Sequence, residues 1–387
     1  MAASQADPWH VLGDGKKMGI RIEPYTTEEQ AAGARAFNQR LQSHNQTEFL
    51  LSDSPPRTEA ADSAIRNHYY LVHEDDAVRG GFLLAAFPAG FGDGRNTVVL
   101  NAREPLSEAL IDPKYALLGL RILKFMERQG THLFALGMGS ESRPFPRLLK
   151  SAQWTLSQTP FLFRVVRARR ALLQLQSLRT SPARRMLAAI AAQTGAGKAA
   201  LSLMQYRASI SAISLGDLSI EPVQQWGVWV DDLWAACRSD CSFAVSRDLR
   251  TVRELYRLDD HDRGYLLRRK GHPVGWMSAR ITRLCGHKQF GDLCVATLVD
   301  GVALPGAQRG SVTLVSRALT REGADLLVTN QSHMRWVEAF RAAGYLRGPS
   351  NYVLALSKQL AADIASQPGG AAKMHFTRGD SDGLCHL

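Results

Sequence analysis

At 387 residues the chain is too long for one ordinary hydrophobic core and suits two domains. Hydrophobic residues make up 45% and charged residues 21%, which excludes both a disordered chain and a membrane-embedded one. The net charge of +11 points to phosphorylated ligands, RNA or anionic lipid as the partners such a field attracts.

The N-terminus, MAASQADPWHVLGDGKK, has no apolar run of signal-peptide length, so a cytoplasmic location is expected. An amphipathic helix, TTEEQAAGARAFNQRL, comes first. Two strands follow in YYLVHEDDAVRGGFLLAAF (69–87), joined by a charged turn. The apolar GFLLAAFPAGF is too short to span a bilayer. A further strand runs into the Asp112-Pro113 turn and then a long helix, with Leu117, Leu120, Leu123 and Met126 at helical spacing. A short buried strand (HLFAL), a helix (PFPRLLKSAQW) and a last strand (PFLFRVVR) complete the run.

The positive charge is concentrated in the middle of the chain. Between Glu141 and Asp217 there is no acidic residue, but there are twelve basic ones: Arg143, Arg147, Lys150, Arg164, Arg167, Arg169, Arg170, Arg179, Arg184, Arg185, Lys198 and Arg207. The rest of the chain is therefore near neutral. RRALLQLQSLRTSPARRMLAAIAAQ reads as basic amphipathic helix interrupted at Ser181-Pro182, and equally as a solvated linker. AQTGAGKAA (192–200) is not a phosphate loop, because Ala192 and Ala199 stand where Gly and Ser/Thr are needed.

The second half repeats the first. After RDLRTVRELYRL come paired strands in GYLLRRKGHPVGWMSARI (264–281), a strand into Pro305-Gly306, and a helix carrying Val312, Val315 and Leu319. DLLVT, MRWVEAFRAAGY and NYVLALS follow. With an offset of 193, Arg128 falls on Arg321, Gly130 on Gly323 and Leu133 on Leu326. Tyr70 and Tyr265, like Gly81 and Gly275, match at offsets of 195 and 194. The composition is α/β on a mixed sheet, present twice: residues 18–170 and 226–360, joined by a basic helical linker at 171–225 and followed by a tail at 361–387.

This order, with a turn feeding a helix after the fourth strand, resembles the GNAT acyltransferase fold. Two copies resemble the tandem GNAT proteins, including Fem-type aminoacyltransferases and acyltransferase-like proteins associated with exopolysaccharide genes. The resemblance covers about residues 20–165 and 230–358. It implies an acyltransferase using acyl-CoA or an aminoacyl donor, no metal, and an amine or hydroxyl acceptor, either a small molecule or a glycan precursor. An aminoacyl-tRNA donor, or an anionic membrane surface, would suit the basic residues 143–207.

The resemblance also places candidate residues. In GAQRGSVTL, Gln308, Arg309, Gly310, Ser311 and Val312 stand at the pyrophosphate turn, where helix amides take an anion without charged side chains. In DPKYALLGL, Lys114 and Gly119 stand at the equivalent turn. The second turn is the closer match, and Val312 and Thr313 depart from the family's small residues. Asn330 matches a cofactor-contacting Asn, and also reads as a strand terminator. Glu108 and Asp300, each near the end of a fourth strand, are the candidate bases; each also reads as a solvated turn carboxylate. Phe340 and Leu149 occupy the position of the family's leaving-group tyrosine. Their presence supports a rival reading, a catalytically inactive scaffold that binds nucleic acid, membrane or a biosynthetic partner.

His68, His73 and His261 read as surface residues, and Trp226, Trp229 and Trp234 as packing at the entry to the second copy, or as an acceptor-site wall. Cys237, Cys241, Cys285, Cys294 and Cys385 read as reduced thiols with no zinc spacing. In the closing MHFTRGDSDGLCHL, a calcium loop from Asp380 would need a carboxylate beyond Leu387. The stretch reads instead as a tail docking Met374 and Phe376, with Asp380 and Asp382 meeting basic residues or a cleft.

Overall fold

The computed structural model describes residues 19–56, 62–175, 196–208 and 217–381, with 186, 191 and 193. Arg179, Ser181-Pro182, Arg184, Arg185, Asp382 and Cys385 lie outside the described residues. The chain divides into two compact units. One comprises residues 1–57, 69–82 and 104–125, the other 58–68, 83–103 and 126–387.

In the first unit, β1 (Ile20–Pro24) runs antiparallel to β2 (Arg66–Glu74), from Ile20 opposite Glu74 to Pro24 opposite Tyr70. Helix Glu28–Ser43 begins where the Gln30 side chain accepts the backbone N–H groups of Thr26 and Thr27. Its buried face, Ala31, Ala34, Phe37 and Leu41, packs with Leu71, Val78 and Leu106. Gly33 is needed on that face, since a Cβ would lie 2.6 Å from a Val78 methyl.

The second unit is mixed α/β. Strands β3 (Ala77–Phe91, of which residues 83–91 belong to this unit), β4 (Asn96–Ser107, of which residues 96–103 do), β5 (Leu133–Leu136), β15 (Val353–Leu356) and β6 (Thr155–Gln158) follow one another in a sheet. The other sheet has the order β14 (Leu346–Gly348), β7 (Phe161–Val165), β13 (Leu326–Asn330), β12 (Cys294–Ala303), β11 (His272–Arg283), β10 (Asp262–Arg269), β8 (Leu218–Val223). β4 pairs parallel with β5, and β12 with β13. The fold class is the expected one, α/β with two mixed sheets and flanking helices. The repeat is visible in the backbone. Asp75 takes a left-handed conformation between β2 and β3, and 195 residues on Lys270 and Gly271 do the same between β10 and β11.

The last strands depart from the expected pairing. PFLFRVVR and NYVLALS read as closing their own copies, but each pairs in the other sheet. β7 lies between β13 and β14, and β15 lies between β5 and β6. The linkers explain why neither forms a hairpin with its predecessor. Thr159 precedes Pro160 and Gly348 precedes Pro349, and proline drives the preceding residue toward extended backbone. The two crossovers are fastened together: the Ser350 hydroxyl donates to the Thr159 carbonyl at 2.6 Å, and Thr159 N–H to the Tyr352 carbonyl at 2.9 Å.

Residues 361–366 form the end of a helix, Lys358–Ser366, rather than tail. Beyond it, β16 (Met374–His375) pairs parallel with β9 (Phe243–Val245), which pairs antiparallel with β3. The basic interval is partly neutralised from within. Arg167 and Arg170 both reach Asp325, whose side chain is fully buried, at 3.2 and 2.9 Å. No helix among the described residues is long and apolar enough to cross a membrane.

Candidate functional site

The second copy concentrates the unusual features. β12 is buried along its whole length and carries a bulge at Val299, since Ser278 pairs with Asp300 but Ala279 with Leu298. Glu104, 195 residues earlier in β4, is left-handed at φ 50°. β12 and β13 pair only from Val295–Thr297 to Leu326–Val328, so their C-terminal parts are free to diverge. After β12, the Leu304–Ala307 turn opens helix Gln308–Arg321, whose first turn has no acidic residue. Its leading N–H groups lack partners within the helix, which favours an anion there.

The segment Met374–Ser381 lies against the ends of these strands, beyond their shared ladder. Ser332 and Phe376 are tied at 3.1 Å (Ser332 N–H to Phe376 carbonyl) and 2.7 Å (Phe376 N–H to Ser332 Oγ). Arg378 Nε donates to Asn330 Oδ1 at 2.8 Å, and Asn101 Nδ2 to the Asp380 carbonyl at 2.8 Å. Phe376 stacks on Phe243 and packs against Phe134. Met374 and Phe376 are buried. Arg378–Asp380 is a short 3-10 turn capped by Thr377, so the Arg-Gly-Asp tripeptide is folded inward rather than displayed.

Beneath that turn is a buried charge cluster. Arg247 is 0% exposed; its Nε donates to Asp300 Oδ2 at 2.5 Å and its Nη2 to both oxygens of Asp380 at 2.7 Å. Asp300, also 0% exposed, further accepts the Tyr256 hydroxyl at 2.5 Å and the Gly301 N–H at 2.8 Å, and His375 Nε2 lies 3.3 Å from its Oδ1. Burial pushes the Asp300 carboxyl up, but Arg247, then His375 and Tyr256, outweigh it and hold the group well below the usual carboxylate range. Burial also lifts the Tyr256 phenol well above its ordinary value, with Asp300 adding to the effect.

Next to the cluster a small cleft opens between β12, the start of helix Gln308–Arg321 and the start of helix Met334–Ala342. It is lined by Trp234, Gly301, Gln308, His333, Trp336 and His375. Burial, followed by the nearby His375, lowers the His333 pKa to about 4, so this imidazole is neutral near pH 7. Cys237 and Cys241 border the cleft, and burial, then Asp240, pushes their thiols up to about 11 and 12. They are protonated, poor nucleophiles. No group of His, Cys, Asp and Glu among the described residues forms a metal cluster.

The candidates expected from the sequence divide between the two copies. Gln308 closes its own turn, accepting from Gly306 N–H at 2.9 Å. Gly310 makes room for Leu218, which a Cβ would meet at 2.4 Å. Ser311 Oγ donates to the Ala307 carbonyl, Val312 is in the core, and Arg309 is half-buried on the helix's first turn. Asn330 ends β13 facing Arg378. Glu108, Lys114 and Gly119 belong to the first unit. There Glu108 accepts from Arg40 Nε at 2.6 Å and Arg79 Nη1 at 2.9 Å, Lys114 is exposed, and Gly119 is the second residue of helix Leu118–Gln129. The solvated-turn reading of Glu108 and Asp300 is corrected: both are buried and ion-paired. His73 is likewise buried, not at the surface. Trp226 packs with Trp276, Trp229 and Tyr256, while Trp234 reaches the cleft.

Arg247, Tyr256, His333 and His375 were not legible as a site. For His375 there was one sequence signal, the density of aromatic, histidine and carboxylate residues in the closing stretch; Arg247, Tyr256 and His333 lie outside that stretch.

No protein-family model matches the sequence, and no curated protein matches it. Among solved structures, the chain is similar to a GCN5-related N-acetyltransferase from Anabaena variabilis at 12% identity, over 90% of this chain and 75% of that one, with a TM-score of 0.50. A tandem GNAT protein from the clavulanic acid biosynthesis pathway is 12% identical over 87% of this chain and 98% of its own (TM-score 0.43). Saccharomyces cerevisiae N-myristoyltransferase is 8% identical over 88% and 79% (TM-score 0.48). Likeness at such identities is one of fold. The first of them shows a GNAT fold, which the repeated element order puts on the chain twice.

Proposed function

We propose that the chain is an acyltransferase that takes an acyl group from an acyl thioester, acyl-CoA, and passes it to an amine or hydroxyl. The observation carrying this reading is the junction in the second copy, where bulged β12 runs directly into a helix N-terminus with a cleft beside it. The donor's pyrophosphate would meet the backbone amides of Gln308, Arg309 and Gly310, with Arg309 adding charge. Its acyl arm would enter beside Gly301 and Trp336. The turn around Lys114 and Gly119 is the weaker claimant, because Lys114 lies beside Glu74. Both Glu108 oxygens meet arginines, and Asp300 is fully buried with Oδ2 on Arg247 and Oδ1 on the Gly301 N–H and beside His375, so neither is assigned as the base.

A second reading, a non-catalytic scaffold using basic residues within 143–207 to hold an RNA, an anionic surface or a partner, is favoured by one observation. The chain's own segment Met374–Ser381 lies along β12 and β13 beyond their shared ladder. Differential scanning fluorimetry with CoA, acetyl-CoA and tRNA separates the two. Stabilisation by acetyl-CoA that Arg309→Glu abolishes is the expected result; a response to tRNA alone would replace the first reading by the second.

A further inference from the structure

We propose that His375 is the proton-accepting group of this cleft, and that Asp300 is its positioning residue. This rests on the acyl-transfer reading above. His375 is 2% exposed and lines the cleft, with its Nε2 3.3 Å from Asp300 Oδ1. Its other ring nitrogen, Nδ1, is buried and has no hydrogen-bond partner.

The tautomer follows from Asp300. Held as a carboxylate by Arg247, Asp300 is acceptor-only, so Nε2 must carry the proton. A second proton on Nδ1 would be a buried donor without an acceptor. The nitrogen therefore presents a lone pair. His333, whose ring centroid is 6.1 Å from that of His375, is not equivalent, because its Nδ1 already accepts the Arg335 N–H. Arg247 fixes Asp300 on one side and, through Asp380, the segment that carries His375 on the other.

In the reaction, the acceptor's nitrogen or oxygen attacks the thioester carbonyl as its proton passes to His375 Nδ1. The C–S bond breaks, and the imidazolium returns that proton to the departing thiolate. The products are the acylated acceptor and free thiol, with His375 neutral again.

The test reads the histidine itself and needs no acceptor. In 15N-labelled protein at pH 7, long-range imidazole correlations should show His375 as the neutral Nε2–H tautomer, identified by loss of its signals in His375→Gln. Diethyl pyrocarbonate should modify His375 in a His333→Asn background, and Asp300→Asn should change the tautomer populations. Acetyl-CoA should protect His375 from the reagent. An Nδ1–H tautomer, a doubly protonated ring or an unreactive His375 would overturn the inference. If acetyl-CoA stabilises the protein yet leaves His375 unprotected, the inference fails while the acyl-transfer reading stands. If acetyl-CoA does not bind at all, that reading fails, and with it a proton-accepting role, whatever the tautomer.

Discussion

Replacing Arg247 by Met would remove the single guanidinium that bridges Asp300 and Asp380 and leave two carboxylates in a space closed to water. Breaking a buried ion pair from one side costs about 3–5 kcal/mol, because the remaining charge is uncompensated. That is roughly a hundred- to several-thousand-fold in the folded-to-unfolded ratio. The sign of the pH dependence should also change. In the native protein the folded-state pKa of Asp300 is depressed, so its contribution is complete above the unfolded value near 4 and is lost as pH falls through the folded value. Without Arg247, burial dominates at Asp300 and raises its carboxyl pKa, so stability is lost as pH rises from about 4. Urea unfolding followed by tryptophan fluorescence from pH 4 to 8 measures both effects. Arg247→Met combined with Asp300→Asn and Asp380→Asn should recover much of the loss at pH 8. A single variant within about 1 kcal/mol of the parent at pH 7, or one whose deficit does not grow with pH, would refute the uncompensated-charge reasoning.

Burial raises the Asp262 pKa to about 6, with Arg280 only partly opposing it. The folded chain thus binds a proton more tightly than the unfolded one, and stability drops as pH rises from 4 to 6. Asp262→Asn should therefore gain about 1–3 kcal/mol on the parent across that window and hold it above pH 6, read by urea midpoints; a pH-independent difference would contradict this. Gly379→Ala would put a Cβ 2.0 Å from the Tyr256 hydroxyl, which is pinned by Asp300. A loss of about 1–3 kcal/mol and faster proteolysis after residue 373 are expected, and unchanged cleavage would argue against a tightly docked segment. Arg309→Glu should remove the melting-temperature rise that acetyl-CoA gives the parent, read by differential scanning fluorimetry; an unchanged rise would argue against the Gln308–Gly310 turn as the donor site.

The repeat was readable because it rests on local signals. Turn residues such as Lys270-Gly271 and the helical spacing of Leu123 and Met126 announce themselves within a few positions. The exchange of β7 and β15 was not readable, since PFLFRVVR has the same composition whichever sheet it joins. Pro160 and Pro349 mark a break without naming the destination. The site failed for a related reason. Arg247 and Asp300 are 53 residues apart and His375 a further 75, so their meeting depends on tertiary structure alone. Asp300 stands out in the sequence as a candidate base, yet its charge is spent on Arg247 rather than exposed to a substrate.

The exchanged strands also bear on how the chain is made. β5 and β6 are finished by residue 158, but β15, which must lie between them, begins at residue 353. At about 5–20 residues per second of synthesis, β6 waits roughly 10–40 s for β15, its one neighbour in that sheet among the described residues. Until then both strands offer unpaired edges, which are templates for wrong partners. The first half of this chain is therefore the part most exposed to wrong pairing on the ribosome, and either half expressed alone would lack a strand that its sheet takes from the other.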